Sequence, residues 1–286
     1  MIRANIVHRV TDIVGDTWTL RLVGRLLHGH ARFDALVQAL EIPRSTLDAR
    51  LRALVAHACV LRPASHGGHY ALTPRGRDLL VLLRQMQQWD THGGVQGRVL
   101  AGLQVANPCG HDAPLQMRCS HCHREADARA MKVLQTHRVP PPAPALSAKR
   151  VRVPGPEDEE APLPAEQLLG DRWMGLILGA AFFGAQRFSD IAAALGIAPN
   201  MLVTRLGRLL RQGLLERVPY GPGGERHAYR LTPRGLDYYP VITAAIAWGR
   251  RWLDPQDDPG WRVLHRDCVE WFEPEFVCGV CGAVAG

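Results

Sequence analysis

The sequence contains very little lysine, no long hydrophobic run and no motif of a common enzyme active site. Only Lys132 and Lys149 accompany the arginines, so guanidinium groups carry almost all of the positive charge. The longest apolar stretch, from Met174 to Ala185, is too short to cross a bilayer. Neither a glycine-rich phosphate loop nor a nucleophile motif is present. These absences predict a protein that is not an enzyme and has no transmembrane helix.

The beginning of the chain lacks the apolar centre of a secretory signal, because residues 1–14 mix Arg, His, Asn and Asp with aliphatic residues. We therefore expect the protein in the cytoplasm. In that reducing compartment the seven cysteines are expected to be metal ligands or free thiols rather than disulfides. Cys59, which stands apart from the others, is interpreted as a small buried hydrophobic residue.

Length and composition are typical of a globular protein with about two domains. The chain has 286 residues, of which 47% are hydrophobic and 21% charged, and its formal net charge is +7. Residues 1–105 alone hold 13 arginines against 7 acidic residues. A basic surface suits a polyanion, although a GC-rich genome would also favour arginine over lysine.

One block of residues occurs twice in the chain. The segment Gly15 to Trp18 returns as Gly170 to Trp173, 155 positions later, and Leu-Thr-Pro-Arg-Gly at 72–76 returns at 231–235, 159 positions later. The change of offset indicates a surface loop that is four residues longer in the second copy. The offset of 159 also holds for the cysteines at the end of each copy: Cys109, Cys119 and Cys122 correspond to Cys268, Cys278 and Cys281.

A proline-rich segment separates the two copies. Residues 139–165 contain eight prolines and an acidic run from Glu157 to Glu160, a composition that predicts an extended linker. We expect helical modules at 1–105 and 166–256, each followed by a small Cys-rich metal-binding segment, at 106–138 and 257–286.

The residue pattern of each copy predicts three helices, a β-hairpin and a closing helix. In the first copy, apolar spacing and turn residues predict these elements: helices around Trp18–Leu26, at Phe33–Leu40 and at Ser45–His57 with Ser45 as N-cap, hairpin strands at Val60–Pro63 and Tyr70–Thr73, and a helix at Pro74–Trp89. The second copy repeats them: helices at Leu168–Phe183, Phe188–Leu195 and Asn200–Gln212, a hairpin at Leu215–Thr232 and a helix at Pro233–Trp252. The predicted fold class is mainly α with small β-hairpins (α+β), built as two tandem winged helix-turn-helix modules. Four tryptophans are expected to pack rather than to stack on bases: Trp18, Trp89, Trp173 and Trp248.

With these residues in place, the sequence resembles the HxlR-type winged helix-turn-helix transcription regulators, a branch of the MarR-like group. The resemblance covers residues 10–90 and 165–252. It rests on Gly-Asp-x-Trp in the opening helix, Arg-Phe at the start of the second, Leu-x-x-Arg-Leu from Leu47 and Leu202, and Tyr-x-Leu-Thr-Pro-Arg-Gly after the hairpin.

The resemblance implies a sequence-specific regulator of transcription, a repressor, with double-stranded DNA as its partner and the nucleoid as its place of action. Typical members carry one module and pair as homodimers. The tandem modules here are therefore expected to pair within one chain as a pseudo-dimer, with a homodimer as the alternative assembly. The alternative functions are a protein-interaction scaffold built on winged helices and a thiol-based redox-sensing regulator.

The third helix of each copy would read the major groove with its outward and flanking residues. In the first copy these are Ser45, Thr46, Ala49, Arg50 and Arg52, and in the second Asn200, Met201, Thr204, Arg205 and Arg208. Phosphate or minor-groove contacts are expected from Arg32 and Arg187, which open the second helices, and from hairpin residues His66, His69, Arg226 and His227. For Arg50 and Arg205 an ion pair on the protein is the alternative. Because the outward residues differ between the copies, we predict an asymmetric operator.

Each copy ends with Cys, nine residues, Cys, two residues, Cys, a spacing that predicts a structural zinc site in each tail. In the second tail the ligands would be His265, Cys268, Cys278 and Cys281, and the His and Cys-Gly tail of some HxlR-like proteins supports this set. In the first tail Cys109, Cys119 and Cys122 would be completed by His111, or else by His121 or His123. The competing interpretation is a pair of redox-responsive thiols within each Cys-x-x-Cys. Three thiolates and a histidine leave no open position for water, so a catalytic zinc is not expected.

Overall fold

The computed structural model describes residues 5–62, 68–93, 106–135, 162–221, 226–253 and 261–285. The first module and its tail contain α1 (Asn5–Val14), α2 (Thr17–Leu27), β1 (Ala31–Arg32), α3 (Phe33–Leu40), α4 (Arg44–Ala56), β2 (Val60–Leu61), β3 (His69–Leu72), α5 (Pro74–Arg77), α6 (Leu79–His92), β4 (Leu115–Cys119) and β5 (Met131–Gln135). The second contains α7 (Ala165–Gly170), α8 (Arg172–Phe182), α9 (Phe188–Leu195), α10 (Pro199–Arg211), β6 (Leu215–Tyr220), β7 (Arg226–Leu231), α11 (Pro233–Leu236), α12 (Tyr239–Trp252), β8 (Trp261–His265), β9 (Glu270–Trp271) and β10 (Pro274–Cys278). Each copy is a winged helix-turn-helix, as the sequence predicts.

The repeated Gly-Asp-x-Trp motif forms a sharp turn followed by a capped helix. Asp16 Oδ1 accepts hydrogen bonds from the backbone N–H of Trp18 and Thr19 at 2.9 and 3.3 Å. Asp171 caps α8 in the same way. A side chain at Gly15 would overlap the carbonyl oxygen of Thr11, so the turn before the cap requires glycine.

The repeated Leu-Thr-Pro-Arg-Gly motif is a second helix cap. Thr73 Oγ1 accepts from the N–H of Gly76 at 3.1 Å and donates to the carbonyl oxygen of Ala58. Thr232 and Gly235 repeat the cap at 3.1 Å. A Cβ atom on Gly76 would overlap the carbonyl oxygen of Cys59, so this glycine lets α5 approach the start of the wing. The motifs that carry the repeat therefore specify helix starts.

Some predicted boundaries are wrong. Helix α4 begins at Arg44, and its N-cap residue is Pro43, which makes no side-chain cap. Ser45 is therefore inside the helix and is not its N-cap. Each closing helix is also broken once, at Asp78 and at residues 237–238, because the Thr-Pro cap starts a short helix that ends before the long one begins.

The core of each module packs against the inward face of its third helix. Leu47, Leu51 and Leu54 of α4 are buried. The equivalent leucines of α10 are buried too: Leu202, Leu206 and Leu209. Trp89 and Trp248 are buried, and Trp18 and Trp173 are half-buried against the core, which confirms the predicted packing role of the tryptophans. Cys59 is fully buried, as expected.

The two modules contact each other through their long closing helices, α6 and α12. Trp89 Nε1 donates to the carbonyl oxygen of Arg234 at 3.3 Å, and Trp248 Nε1 donates to that of Arg75 at 2.9 Å. Each arginine places its guanidinium over the tryptophan of the other module, at 5.0 and 5.4 Å from the ring centre. Both pairs are equivalent in the repeat, so a local two-fold relation connects the modules.

A buried acidic pair lies at one end of this interface. Asp90 accepts a hydrogen bond from the backbone N–H of Ala165, at the start of α7, at 2.8 Å. Glu166 is fully buried, and neither of its carboxyl oxygens has a hydrogen-bond partner among the described residues. Burial raises the pKa of Asp90 and of Glu166 to about 7. The interface therefore holds two carboxyl groups that titrate near neutral pH.

The tails of the two modules form joint sheets. Strand β4 pairs antiparallel with β10, its equivalent in the repeat, and Met117 lies opposite its own equivalent, Phe276, at the centre of the register. Strand β5 pairs with β8, which also pairs with β9. The two tails, which were expected as separate segments, thus pair with each other.

Most of the predicted linker lies outside the described residues, and its described end packs against both modules. Leu163 is buried, and its N–H donates to Gln212 of the second module at 2.8 Å. Ala165 is held by Asp90 of the first. Among the residues described here, no helix is long and apolar enough to cross a bilayer.

Candidate nucleic-acid interface and metal clusters

Helix α4 presents a polar outer face with an internal ion pair. Ser45 and Ala49 are exposed near its start, and Thr46 is half-buried on the flank. Arg52 is exposed and binds Asp48, one turn earlier, with Nε 3.1 Å from Oδ1. The outer face of α4 therefore carries small side chains near the start of the helix and a charged pair in its middle.

Helix α10 presents a different outer face. Asn200 and Thr204 are exposed, and Thr204 Oγ1 donates to the carbonyl oxygen of Asn200 at 3.0 Å. Met201 and Arg208 are half-buried on the flank. The structure thus confirms that the outward residues differ between the two helices.

Arg50 and Arg205 are engaged in ion pairs with the capping aspartates. Arg50 Nε lies 2.8 Å from Asp16 Oδ2, and Arg205 Nε lies 3.2 Å from Asp171 Oδ2. The pairs tie each third helix to the capped start of the opening helix. This is the ion-paired arrangement considered as the alternative, and a contact of either guanidinium with DNA stays a prediction.

The other predicted contact residues lie on exposed parts of the helix starts and wings. Arg32 and Arg187 are exposed at the N-cap positions of α3 and α9, and the Arg187 guanidinium lies 4.8 Å from the centre of the Tyr220 ring in the wing. His69 is exposed in β3, and Arg226 and His227 are exposed in β7. His66 lies outside the described residues.

One exposed residue of α10 was not among the predicted contacts. Val203 retains 60% of its surface, although its neighbour Leu202 is fully buried. The signal available in the sequence was its partner in the repeat, Asp48, which shows that the position faces outward in both copies. Helical projection assigns this position neither to the outward set nor to the flanking set, which is why Val203 is missing from the predicted contacts.

The eight predicted metal ligands form two clusters, but the clusters combine the tails. One cluster contains Cys109, His111, Cys278 and Cys281, and the other contains Cys119, Cys122, His265 and Cys268. In each, the four ligand atoms lie within 4.8 Å of one another. The expected grouping, with all four ligands from one tail, is therefore wrong. His121 and His123, the alternatives to His111, belong to neither cluster among the described residues.

The pairing of β4 with β10 explains why each cluster combines ligands from both tails. Each Cys-x-x-Cys forms a knuckle at the end of β4 or β10, closed by a hydrogen bond from His123 N–H to Cys119 or from Gly282 N–H to Cys278, both at 2.8 Å. Because β4 and β10 run antiparallel, each knuckle emerges at the end of the sheet where the other tail supplies its first cysteine. Each cluster thus takes two cysteines from one tail and the remaining ligands from the other.

The spacing of the ligand atoms fits a tetrahedral ion. In the cluster around His265, Nδ1 lies 3.4 Å from Cys122 Sγ and 3.3 Å from Cys268 Sγ, and Cys119 Sγ lies 3.9 Å from Cys268 Sγ. Metal–ligand bonds of about 2.0–2.3 Å in a tetrahedron place ligand atoms roughly 3.5–3.8 Å apart. His265 is fully buried although its Nε2 has no hydrogen-bond partner among the described residues. Both clusters are therefore able to hold a metal ion.

The two clusters differ in their exposure. Cys109, His111 and Cys281 are exposed in the first cluster, whereas Cys119 and His265 are buried in the second. Backbone N–H groups of Cys281 and Val280 lower the pKa of the Cys278 thiol to about 6, which favours the thiolate form that metals bind. The cluster containing Cys109 is the more accessible one.

Comparison with known proteins agrees with this architecture. The family model of the HxlR-like helix-turn-helix matches twice, over residues 13–96 and 168–257. An HTH-type transcriptional regulator of Mycobacterium tuberculosis (strain ATCC 25618 / H37Rv) is 42% identical over 118 residues, which are 41% of this chain and 75% of the relative. The HTH-type transcriptional regulator YvaP of Bacillus subtilis (strain 168) is 35% identical over 94 residues, which are 32% of this chain and 85% of the relative.

Among solved structures, that of PA1607, described as a candidate transcription factor, is 30% identical, with a TM-score of 0.38 over 46% of this chain and 93% of that chain. The family and the relatives are transcriptional regulators and not enzymes. Two matches to the family model, each over one winged helix-turn-helix, cover more than half of the chain. The chain belongs to the HxlR-like helix-turn-helix family and is a DNA-binding transcription regulator with two such modules in tandem.

Proposed function

We propose that the two modules bind one duplex together, as an intramolecular pseudo-dimer, and that the chain acts as a repressor. The observation that carries this proposal is the reciprocal contact in which Trp89 and Trp248 each bind the arginine of the other module. Helix-turn-helix dimers use a two-fold relation to present their reading helices to successive major grooves. A two-fold relation within one chain can serve the same purpose without a second copy.

The duplex site is asymmetric. Helix α4 offers Ser45, Ala49 and the Arg52–Asp48 pair, whereas α10 offers Asn200 and Thr204. Arginine suits guanine and asparagine suits adenine in the major groove. Exposed arginines at the helix starts, such as Arg32 and Arg187, bind the phosphates that flank each half-site.

Both Cys/His clusters hold a structural zinc ion. Three thiolates and one imidazole are a closed ligand set for Zn²⁺, and the ligand spacing around His265 supports a tetrahedral ion. Because each cluster takes ligands from both tails, ion binding favours the paired arrangement of the modules over any state in which the tails separate. The zinc ions therefore act as clamps between the two halves of the chain.

The chain works as a repressor by covering its site on the nucleoid in the cytoplasm. Occupation of about two turns of duplex blocks access to that DNA, which is the simplest consequence of tight binding by two modules. Pairing within the chain takes the place of the homodimer that single-module members use.

Selection from a random duplex pool, followed by footprinting and a measurement of mass in the complex, tests the pairing. We expect a bipartite site with two different halves, centred about 10 base pairs apart, occupied by a single chain. Binding should weaken steeply with salt because phosphate contacts release counterions. A site that needs two chains would refute the pairing, and salt-insensitive capture of a protein partner without duplex binding would favour the scaffold function instead.

Paired serine substitutions test the crossed clusters, with native mass spectrometry as the readout. Cys109→Ser with Cys281→Ser removes ligands from one cluster only, so the double variant should keep one of two zinc ions. Cys109→Ser with Cys122→Ser removes a ligand from each cluster, so that variant should lose both. The opposite result would show that each tail binds its own ion, and the absence of zinc from the wild-type protein would refute the metal proposal.

A further inference from the structure

Val203 is an apolar side chain on the exposed surface of α10 that the fold does not use. It retains 60% of its surface, while the buried leucines Leu202, Leu206 and Leu209 hold the helix to the module. A β-branched residue is also a weaker helix former than alanine at an exposed position. Its presence there is therefore explained neither by packing nor by helix propensity.

The surroundings of Val203 allow close approach of another molecule. Asn200 is exposed one turn earlier, and Thr204 is exposed beside it. One turn later stands Gly207, which is half-buried and has Arg211 Nη1 3.6 Å from the position that a Cβ atom would take. These residues form a low ridge, with a polar group at one end and the apolar valine in its middle.

The first module carries a different pattern at the same positions. Asp48 replaces Val203, Arg52 replaces Gly207, and the two side chains form an ion pair along the surface of α4. A charged pair of this kind is suited to polar base edges, whereas the ridge on α10 is suited to an apolar group. The two helices therefore present different side chains to the duplex at equivalent positions of the repeat.

The 5-methyl group of thymine is the apolar element of the major-groove pattern. We propose that Val203 is a specificity-determining residue that contacts the 5-methyl group of a thymine in the half-site of the second module. Asn200, one turn earlier, faces the adjacent part of the same half-site, where its amide suits an adenine. The half-site of the first module has no such thymine, because Asp48 occupies the equivalent position. This inference rests on the proposed reading of one duplex by both modules.

Replacement of single thymines by deoxyuridine in the selected duplex tests the contact, since uracil lacks only the 5-methyl group. With the full-length protein, one thymine in the half-site of the second module should show about a three- to fivefold loss of affinity on replacement, as expected for a buried methyl group. Val203→Ala should bind the thymine duplex more weakly and lose its sensitivity to that replacement. Val284→Ala is the matched control, because Val284 is also exposed, at 54%, but lies in the tail beyond the Cys-x-x-Cys knuckle; this variant should keep the sensitivity.

The outcomes separate this inference from the proposal on which it rests. A bipartite site at which no thymine replacement matters, or at which Val203→Ala stays as sensitive as the wild type, overturns the role of Val203 and leaves the pairing intact. A selection that yields no bipartite site overturns both. A sensitive thymine in the half-site of the first module that responds to Val203→Ala would also overturn the assignment.

Discussion

The stability of the paired modules should fall as the pH rises from about 5 to about 8, and Glu166→Gln should remove a large part of this loss. Glu166 is fully buried without a hydrogen-bond partner among the described residues, beside Asp90. Burial is the main cause that raises the pKa of Glu166 from 4.5 to about 7, and the charge of Asp90 adds to it. Ionisation of this carboxyl group therefore works against the folded state.

The sign and size of the effect follow from proton linkage. Between the pKa of the unfolded chain and the higher pKa of the folded chain, the folded protein holds a proton that the unfolded chain has released, so stability declines with rising pH across that window. Below this window the stability contributed by the protonated carboxyl group is fully present, and above it this contribution is completely lost. One pH unit between the two pKa values corresponds to about 1.4 kcal/mol, so the loss assigned to Glu166 is on the order of 3 kcal/mol.

Urea unfolding at pH 5.5 and pH 8 measures the part of this loss that falls between those two pH values, about 2 kcal/mol. Because histidines and cysteines titrate in the same range, the quantity of interest is the difference between the wild type and Glu166→Gln, which has no carboxyl group at this position. Glu216→Gln, at an exposed site in β6, is the control and should lose as much stability as the wild type. If Glu166→Gln loses as much stability as the wild type between the two pH values, the buried acidic pair does not titrate as argued.

Two further predictions concern the motifs of the repeat. Gly76→Ala should destabilise the first module by about 2 kcal/mol or more, because its Cβ would overlap the carbonyl oxygen of Cys59. Gly179→Ala, at a helical position with open space around it, should raise the thermal midpoint and add up to about 1 kcal/mol; equal effects of the two substitutions would contradict the steric argument. Asp171→Ala should cost about 2 kcal/mol or more, since it removes both the cap of α8 and the partner of Arg205. Asp171→Asn should cost less because asparagine also caps helices, and equal losses in chemical denaturation would assign the whole effect to the ion pair.

Local signals allowed much of the fold to be predicted. The bounds of α3 and α9 agree with the prediction residue for residue, since each helix follows an Arg-Phe entry and ends at a residue with left-handed backbone, Glu41 or Gly196. The start of α4 was misplaced because Ser45 is a good N-cap residue by type, whereas Pro43 actually precedes the first helical residue. A residue type suggests a cap, but the turn before it decides which residue takes that position.

The composition of the metal clusters could not be predicted from spacing. Both tails carry the same arrangement of cysteines, so a local pattern cannot distinguish a ligand from the same tail from one in the other tail. The decision is made by the pairing of β4 with β10, which are more than 150 positions apart in the chain. The ion pairs of Arg50 and Arg205 were likewise beyond the reach of helical projection, because their partners lie on another helix.

The acidic pair also shows what joining two copies in one polypeptide makes available. Its two positions correspond in the repeat to Gly249 and Thr11, which carry no charge, and Gly249 lies tightly against Val10 of α1. In an assembly of identical subunits, any change at such an interface would be made twice, and four carboxyl groups would have to be accommodated. A fused chain can alter one end of the contact alone, so it can acquire a response to acidity on one side while the opposite side remains a neutral, closely fitted joint.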